Sequence, residues 1–338
     1  MKYPAFINQK DKIALVAPSF GCTFDPYLAR LKAAIENLSE DFLIECGPNV
    51  FKAEVIGRSN TKIKCGEEIN YYFNDPQTKG LMSVGGGEIM VEILPYVDFE
   101  LIKKNPKWFM GYSDNTNLTY LLPTICDVAS IYGPNAPSFG VKPYHQSLTD
   151  ALNILKGQSL KIKSYGTWEK AENQKKEDPL APMILTEKTL MVSYPDNQLK
   201  FSGRLLGGCL DILLGFLGTE FDKTKEFIDK YQKDGIVWFL EACDLNTMAI
   251  RRAFVQLDNA GWFKNVKGFI IGRPLSGMED SLGLNRFEAI KEVVDKYHVP
   301  IIFDVDLGHL SPSMPIITGS LATIELIDNE LTIDMQLV

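Results

Sequence analysis

Apolar positions along this chain alternate between two rhythms, short unbroken runs and helically spaced stretches. Lys12-Ile13-Ala14-Leu15-Val16-Ala17 is an apolar run closed by Pro18-Ser19, which predicts a first strand. Over 26–38 the spacing changes: Leu28, Leu31, Ala34, Ile35 and Leu38 fall on one helical face. Phe42-Leu43-Ile44-Glu45 and Gly80-Leu81-Met82-Ser83-Val84 predict further strands, with a helical stretch over 64–74 between them. A helix over 88–94, a buried strand at Lys107-Trp108-Phe109-Met110 and a helix over 118–122 follow. Repeated strand–helix alternation with short apolar strands argues for a parallel sheet covered on both faces.

The rhythm changes after about residue 145. Residues 156–179 are rich in lysine, glutamate and glutamine around one aromatic cluster, Tyr165-Gly166-Thr167-Trp168, and read as a linker or flap that buries little apolar area. Strands are then expected over 200–205, 236–240, 266–271 and 299–303, and helices over 208–217, 247–260 and 286–297. A hairpin pairs 322–327 with 330–337 and turns at Asp328-Asn329. The expected fold is α/β, with an N-terminal parallel-sheet domain over 1–145, a linker or flap over 146–198 and a C-terminal mixed α/β domain over 199–338.

Composition narrows the function classes. The chain has 338 residues, 45% apolar and 23% charged, with a formal net charge of −8, so it lacks the basic footprint of a nucleic-acid binder. No apolar run reaches a membrane span, since the stretch 205–217 is broken by Asp211 and glycines, and the N-terminus lacks an apolar signal core. Six cysteines without a C-x-x-C pair read as reduced thiols, and the expected location is the cytoplasm.

The richest chemistry lies at Gly111-Tyr112-Ser113-Asp114, between the predicted strand ending at Met110 and the following helix. A serine at a sharp strand-to-helix turn presents its hydroxyl beside helix N–H groups, the geometry of a nucleophile elbow. Asn115 stands where the G-x-S-x-G signature has its last glycine. The plainer alternative is a serine that caps a helix. A nucleophilic serine needs a base and the base an orienting acid. Of three histidines, His309 lies in a loop shaped by Gly308 and Pro312 beyond a strand end, where sites of α/β sheets gather, and a solvated loop histidine is its alternative. His298 suits a helix end and His145 a polar surface stretch. Glu241 closes the run Ile236-Val237-Trp238-Phe239-Leu240 and is the expected orienting acid, with Asp244 as competitor and an ion pair to Arg251 or Arg252 as its structural alternative. For a developing oxyanion, the Asp114 N–H is one donor, and Ser83-Val84-Gly85-Gly86-Gly87-Glu88 can bring a second from Gly86. That turn reads equally as an anion cradle, which leaves a nucleotide- or sugar-binding module as the non-enzymatic alternative.

Taken together, Asp11 to Ser19, Gly85-Gly86, Gly111-Tyr112-Ser113-Asp114, Gly203 to Gly208 with Leu217-Gly218-Thr219, Phe239-Leu240-Glu241, and Gly308-His309 with Pro312 resemble the serine LD-carboxypeptidase family, which includes the microcin-immunity peptidases. The resemblance implies a flavodoxin-like N-terminal domain, a mixed α/β C-terminal domain and a triad of Ser113, Glu241 and His309 assembled between them. It also implies a cytoplasmic homodimer that needs no metal or cofactor. The expected substrates are a murein tetrapeptide losing its terminal D-alanine in peptidoglycan recycling, or the amide joining an aspartate to a modified nucleotide in microcin immunity. Gly85, Trp168, Arg204 and Arg273 are the candidates for substrate contacts, Trp168 by stacking and the arginines by holding a carboxylate. Packing for the tryptophan and salt bridges for the arginines are the alternatives. The chain departs from many murein-recycling members in carrying Gly87 and Glu88 where those have an aromatic residue and glycine.

Overall fold

The computed structural model describes residues 1–54, 56–174 and 177–338. Lys175 and Lys176, which fall in the expected linker, lie outside the described residues. The chain divides into two compact units, one formed by Met1–Ser159 with Lys175–Met183 and the other by Leu160–Gln174 with Ile184–Val338.

In the first unit the elements run β1 (Lys12–Val16), α1 (Tyr27–Ser39), β2 (Leu43–Cys46), α2 (Lys62–Asn74), β3 (Thr78–Ser83), α3 (Phe99–Lys104), β4 (Trp108–Gly111), α4 (Thr116–Thr119), β5 (Ser130–Tyr132) and α5 (Gln146–Lys156). Strands β5-β4-β3-β1-β2 are parallel neighbours in that order. This is the flavodoxin-like order, whose reversal between β1 and β3 opens a crevice at the strands' C-terminal ends. Ala14, Val16, Leu81 and Phe109 from the sheet pack with Ile69, Phe73, Ile93 and Ile102 in one buried cluster.

The second unit contains β6 (Lys161–Lys163), β7 (Thr167–Trp168), β8 (Glu187–Lys188), β9 (Val192–Tyr194), β10 (Leu199–Cys209), α6 (Leu210–Leu213), α7 (Thr224–Lys230), β11 (Ile236–Glu241), α8 (Thr247–Asn259), β12 (Val266–Gly272), α9 (Arg286–Val294), β13 (Ile301–Val305), β14 (Ile316–Thr318), β15 (Leu321–Ile327) and β16 (Glu330–Gln336). Its main sheet has the order β6-β16-β15-β10-β11-β12-β13-β9, parallel from β10 to β13 and antiparallel at both edges. The unit is therefore mixed α/β. Every residue of β11 is buried, and Trp238 stacks on Trp262 with ring centroids 5.8 Å apart. Among the described residues, no helix is long and apolar enough to cross a membrane.

Several elements differ from the sequence expectation, and each difference has a local cause. The strand expected over 200–205 continues to Cys209, because Gly207 and Gly208 adopt φ of 155° and 142° and stay in the ladder beside β11. A Cβ on Gly207 would sit 1.7 Å from the Phe239 carbonyl oxygen, so a bare backbone is what lets the two strands pair there. The expected helix over 88–94 is a 3-10 turn over Met90–Tyr96 that contains Pro95. At the head of the expected linker, Gln146–Lys156 is a regular helix burying Leu148, Ala151, Leu152 and Leu155, an i, i+3, i+4, i+7 pattern that the local polar composition masked.

One buried carboxylate ties the crevice together. Glu68, on α2, accepts the Ala17 N–H at 2.8 Å and the Asn49 N–H at 2.9 Å, joining the loops that leave β1 and β2. Burial pushes its carboxyl up to about 7, against the pull of those donors. A carboxyl raised above its unfolded value of about 4.3 stabilises the fold at low pH, and that contribution is lost as pH rises through the folded value. Glu68→Gln, neutral throughout, should therefore gain on the native protein between about pH 5 and pH 8. Thermal melts of both proteins across that range check this. A Tm difference moving the other way means that the ionised carboxylate is the stabilising form.

Candidate active site

In the first unit, β4 delivers a buried run that ends at Gly111, and the chain then turns sharply. Tyr112 is extended, with φ −141° and ψ −177°, and Ser113 follows at φ 64°. A positive φ at a non-glycine residue costs on the order of 1–3 kcal/mol and persists only when its surroundings hold it. They do so here from several sides. The Thr116 hydroxyl donates to the Ser113 carbonyl at 2.7 Å, and the Tyr132 hydroxyl accepts the Ser113 N–H at 3.3 Å. Asp114 is fully buried and accepts from the Ser19 hydroxyl at 2.5 Å, the Met90 N–H at 3.0 Å and the Asn117 amide at 3.0 Å. Burial raises its carboxyl above the ordinary value, and these donors oppose the shift. The side chain next to the expected nucleophile thus pins the elbow to the loop after β1 and to the start of the 3-10 turn at Met90.

The glycine turn after β3 lies against this elbow. A methyl group on Gly86 would stand 3.0 Å from Ser113 Oγ and 3.8 Å from the Asp114 nitrogen. The structure thus brings Gly86, Ser113 and Asp114 together. Gly87 has φ 154°, and a Cβ there would sit 2.1 Å from Ser19 Oγ. With Ser19 in place, any side chain at position 87 would run into that hydroxyl.

In the second unit, Glu241 ends β11 with no exposed side-chain surface, and its Oε2 stands 2.8 Å from His309 Nδ1. His309 enters on the loop after β13. Gly308 takes φ 106°, and a Cβ on it would lie 2.6 Å from Glu241 Oε2, so the close approach requires glycine. Asp244, the competing acid, belongs to a turn fastened elsewhere. Asp211 accepts the Cys243 N–H at 3.0 Å and the Asp244 N–H at 2.9 Å. The Cys243 thiol is raised by burial, with a hydrogen bond to His309 opposing, so this cysteine borders the imidazole.

The His309 loop is tied to the segment expected as a flap. Asp306 is fully buried and accepts the Tyr165 N–H at 2.7 Å and the Thr189 hydroxyl at 2.9 Å. It also pairs with Arg273, whose guanidinium donates to the Asp304 carbonyl at 2.6 Å and lies 5.0 Å from the Trp168 ring centroid. Burial raises the Asp306 carboxyl, with the Arg273 charge opposing. Gln174 Nε2 donates to the His309 carbonyl at 2.8 Å, and the Glu169 N–H to the Ser311 carbonyl at 2.7 Å. Trp168 and Arg273 are thus neighbours. Arg204 is placed differently: it pairs with Asp234 at 2.5 Å, donates to the Gly319 carbonyl at 2.7 Å and stacks on Tyr231. Both arginines are buried and hold aspartates. Sequence reasoning missed Ser19, Asp211 and Asp306, for which no linear signal exists.

Residues 13–133 match the LD-carboxypeptidase N-terminal domain and residues 202–324 the LD-carboxypeptidase C-terminal domain. This chain belongs to the LD-carboxypeptidase family. It is 28% identical over 288 residues to the microcin C7 self-immunity protein MccF of Escherichia coli, covering 82% of this chain and 80% of that protein. A probable murein peptide carboxypeptidase of Bacillus subtilis is 24% identical over 343 residues, covering 98% and 94%. Among solved structures, an MccF-like protein from Bacillus anthracis shares the fold with a TM-score of 0.82 at 24% identity over 99% of this chain and 100% of that one. MccF in complex with aspartyl sulfamoyl adenosine has a TM-score of 0.83 at 24% identity, covering 99% of both chains. Membership makes this chain a relative of carboxypeptidases and sets the LD-carboxypeptidase frame for the residues above.

The Glu241–His309 approach yields a test of its own. Gly308→Ala would push a methyl into the carboxylate and demand a strained φ, at a cost of about 1–3 kcal/mol. It should also remove the downfield imidazole N–H resonance that a carboxylate-bonded histidine gives. With three histidines in the chain, that signal can be assigned by substitution. An unchanged resonance and melting point in Gly308→Ala refute the clearance argument.

Proposed function

We propose that this chain is a serine-type hydrolase that cleaves a C-terminal amide bond, with Ser113 as nucleophile, His309 as general base and Glu241 as its orienter. The observation that carries the reading is the buried hydrogen bond between Glu241 Oε2 and His309 Nδ1. A carboxylate on Nδ1 fixes the tautomer whose Nε2 carries the lone pair that takes a proton, and stabilises the imidazolium formed when it does. Ser113, held at a positive φ in the first unit, supports it. In the reaction, His309 takes the Ser113 hydroxyl proton as Oγ attacks the scissile carbonyl, and the N–H groups of Asp114 and Gly86 receive the oxyanion. The proton then passes to the departing amine as the C–N bond breaks. A water repeats the sequence on the acyl-enzyme, which releases the carboxylic acid and restores Ser113.

The favoured substrate is a murein tetrapeptide losing its terminal D-alanine, as the family's carboxypeptidase membership suggests. The second reading, an aspartyl–nucleotide amide, is favoured by the similarity to MccF across four-fifths of its length and by the aspartyl sulfamoyl adenosine bound in an MccF structure. We place this activity in the cytoplasm.

Ser113→Ala should fold normally, hydrolyse neither substrate and resist labelling by a fluorophosphonate that marks the native enzyme. Native protein that is not labelled at Ser113 would instead favour the binding-module reading. Glu241→Gln should bind substrate and lose turnover by about 10⁴-fold, the scale seen when a triad acid is neutralised. If Asp244→Asn is the damaging change and Glu241→Gln is not, the acid is misassigned. Incubation with both substrates and mass analysis of the products decides between them.

A further inference from the structure

Asn115 is fully buried, and its amide nitrogen sits among three acceptors. These are the Gly85 carbonyl at 2.8 Å, the Tyr112 carbonyl at 3.1 Å and Asn135 Oδ1 at 3.3 Å. Three acceptors around one nitrogen fix the amide's orientation, with Nδ2 toward Gly85. The Ser83 hydroxyl donates to the same Gly85 carbonyl at 2.9 Å. The next carbonyl is also held, because Gly86 O accepts the Phe20 N–H at 3.0 Å.

The Gly85–Gly86 peptide is trans, so its carbonyl and its N–H point to opposite sides. Two donors clamping the Gly85 oxygen therefore aim the Gly86 N–H the other way. Gly86 is the residue whose added methyl would meet Ser113 Oγ at 3.0 Å, so its backbone lies beside the hydroxyl. Unclamped, a Gly-Gly-Gly turn rotates its peptides easily. A flip would put a carbonyl oxygen where an oxyanion must be received, which reverses the sign of the electrostatic effect.

We propose that Asn115 is a positioning residue whose side-chain amide, with Ser83, locks the Gly85–Gly86 peptide so that the Gly86 N–H is offered to the transition state. This deepens the proposed function and rests on it. The position that breaks the G-x-S-x-G signature then has a task of its own: in this fold the elbow builds the second oxyanion donor by reaching across to a neighbouring turn.

The test compares native enzyme, Asn115→Ala, Asn115→Asp, Ser83→Ala and Ser113→Ala on whichever of the two substrates is hydrolysed. Asn115→Ala is expected to lose about 10²–10³-fold in kcat with KM changed by less than about threefold, the pattern of an interaction made only in the transition state. Ser83→Ala should show a smaller loss in the same parameter. Asn115→Asp places a carboxylate against three acceptors, and only its protonated form regains a donor. Its kcat relative to native enzyme should therefore climb as pH falls, which a mere packing defect does not produce. Native kcat in Asn115→Ala, or a pH-independent ratio in Asn115→Asp, overturns the proposal. If Asn115→Ala does not fold, Ser83→Ala and the pH ratio decide. Turnover by Ser113→Ala sinks the nucleophile assignment itself, and that outcome is read from a different variant than the Asn115 effect.

Discussion

Glu241 stands at the end of a fully buried strand with no exposed side-chain surface, and an isolated carboxylate there would cost several kcal/mol in lost hydration. The hydrogen bond to His309 answers that cost, and much of the second unit is arranged to let it form. The imidazole has to approach from the next-but-one strand, over β12. Gly272, the last residue of β12, has no Cβ, and one would lie 2.2 Å from the Leu307 carbonyl oxygen. Gly308 has none either, and one would lie 2.6 Å from Glu241 Oε2. Two missing side chains thus clear the path for one polar contact. Removing either partner would leave the other buried without its main compensation, which is the costly case for buried pairs.

Clearance alone does not hold a loop still. Asp306, three residues before His309, supplies the restraint by accepting from Tyr165 and Thr189 and by pairing with Arg273. The polar stretch around residue 165 is fixed by this means together with the burial of Ile162 and Tyr165, so it is more firmly held than its lysine- and glutamate-rich composition suggested. Trp168 covers the Arg273 guanidinium on one face, where a weakly hydrated planar cation is well matched to an aromatic ring. The histidine loop and the tryptophan strand therefore share one ion pair, and displacing the ring alters the surroundings of the charge that steadies the loop.

How far the sequence announced this differs between kinds of feature. The strands β1, β3, β4, β11 and β12 were legible because buried parallel strands are continuous apolar runs, and their parallel pairing follows from alternation with helices. Ser113 stood out at a sharp strand-to-helix turn, Glu241 at the close of an apolar run, and His309 in a loop shaped by Gly308 and Pro312 beyond a strand end. The helix over Gln146–Lys156 had its apolar period but sat in a polar neighbourhood that drew attention from it. Ser19, Asp211 and Asp306 were illegible for a stronger reason. Each acts by accepting from or donating to groups that lie from 32 to 141 residues away, the Asp114 carboxylate for Ser19 and backbone N–H groups for the two aspartates, and no local pattern encodes such a partner. The same holds for Gly207 and Gly308, whose need for glycine comes from an atom on another strand.

The elbow in the first unit solves a different problem from the buried pair in the second. Ser113 must be held in a conformation its own backbone disfavours, so the surroundings have to over-determine it. A glycine at position 115, as in G-x-S-x-G, would leave the turn roomier and offer no donor. Asn115 instead places one nitrogen among the carbonyls of Gly85 and Tyr112 and the side chain of Asn135, while Asp114 beside it gathers Ser19, Met90 and Asn117. Two adjacent polar side chains of opposite hydrogen-bonding sense thus bind the turn, one by donating and one by accepting. Because both are buried, neither can exchange its partners for water, and the partners they hold are the loops after β1 and β3. The strain at Ser113 is therefore sustained by the loops at the carboxyl ends of the strands, so the rigidity of the turn and the shape of that crevice have one physical origin.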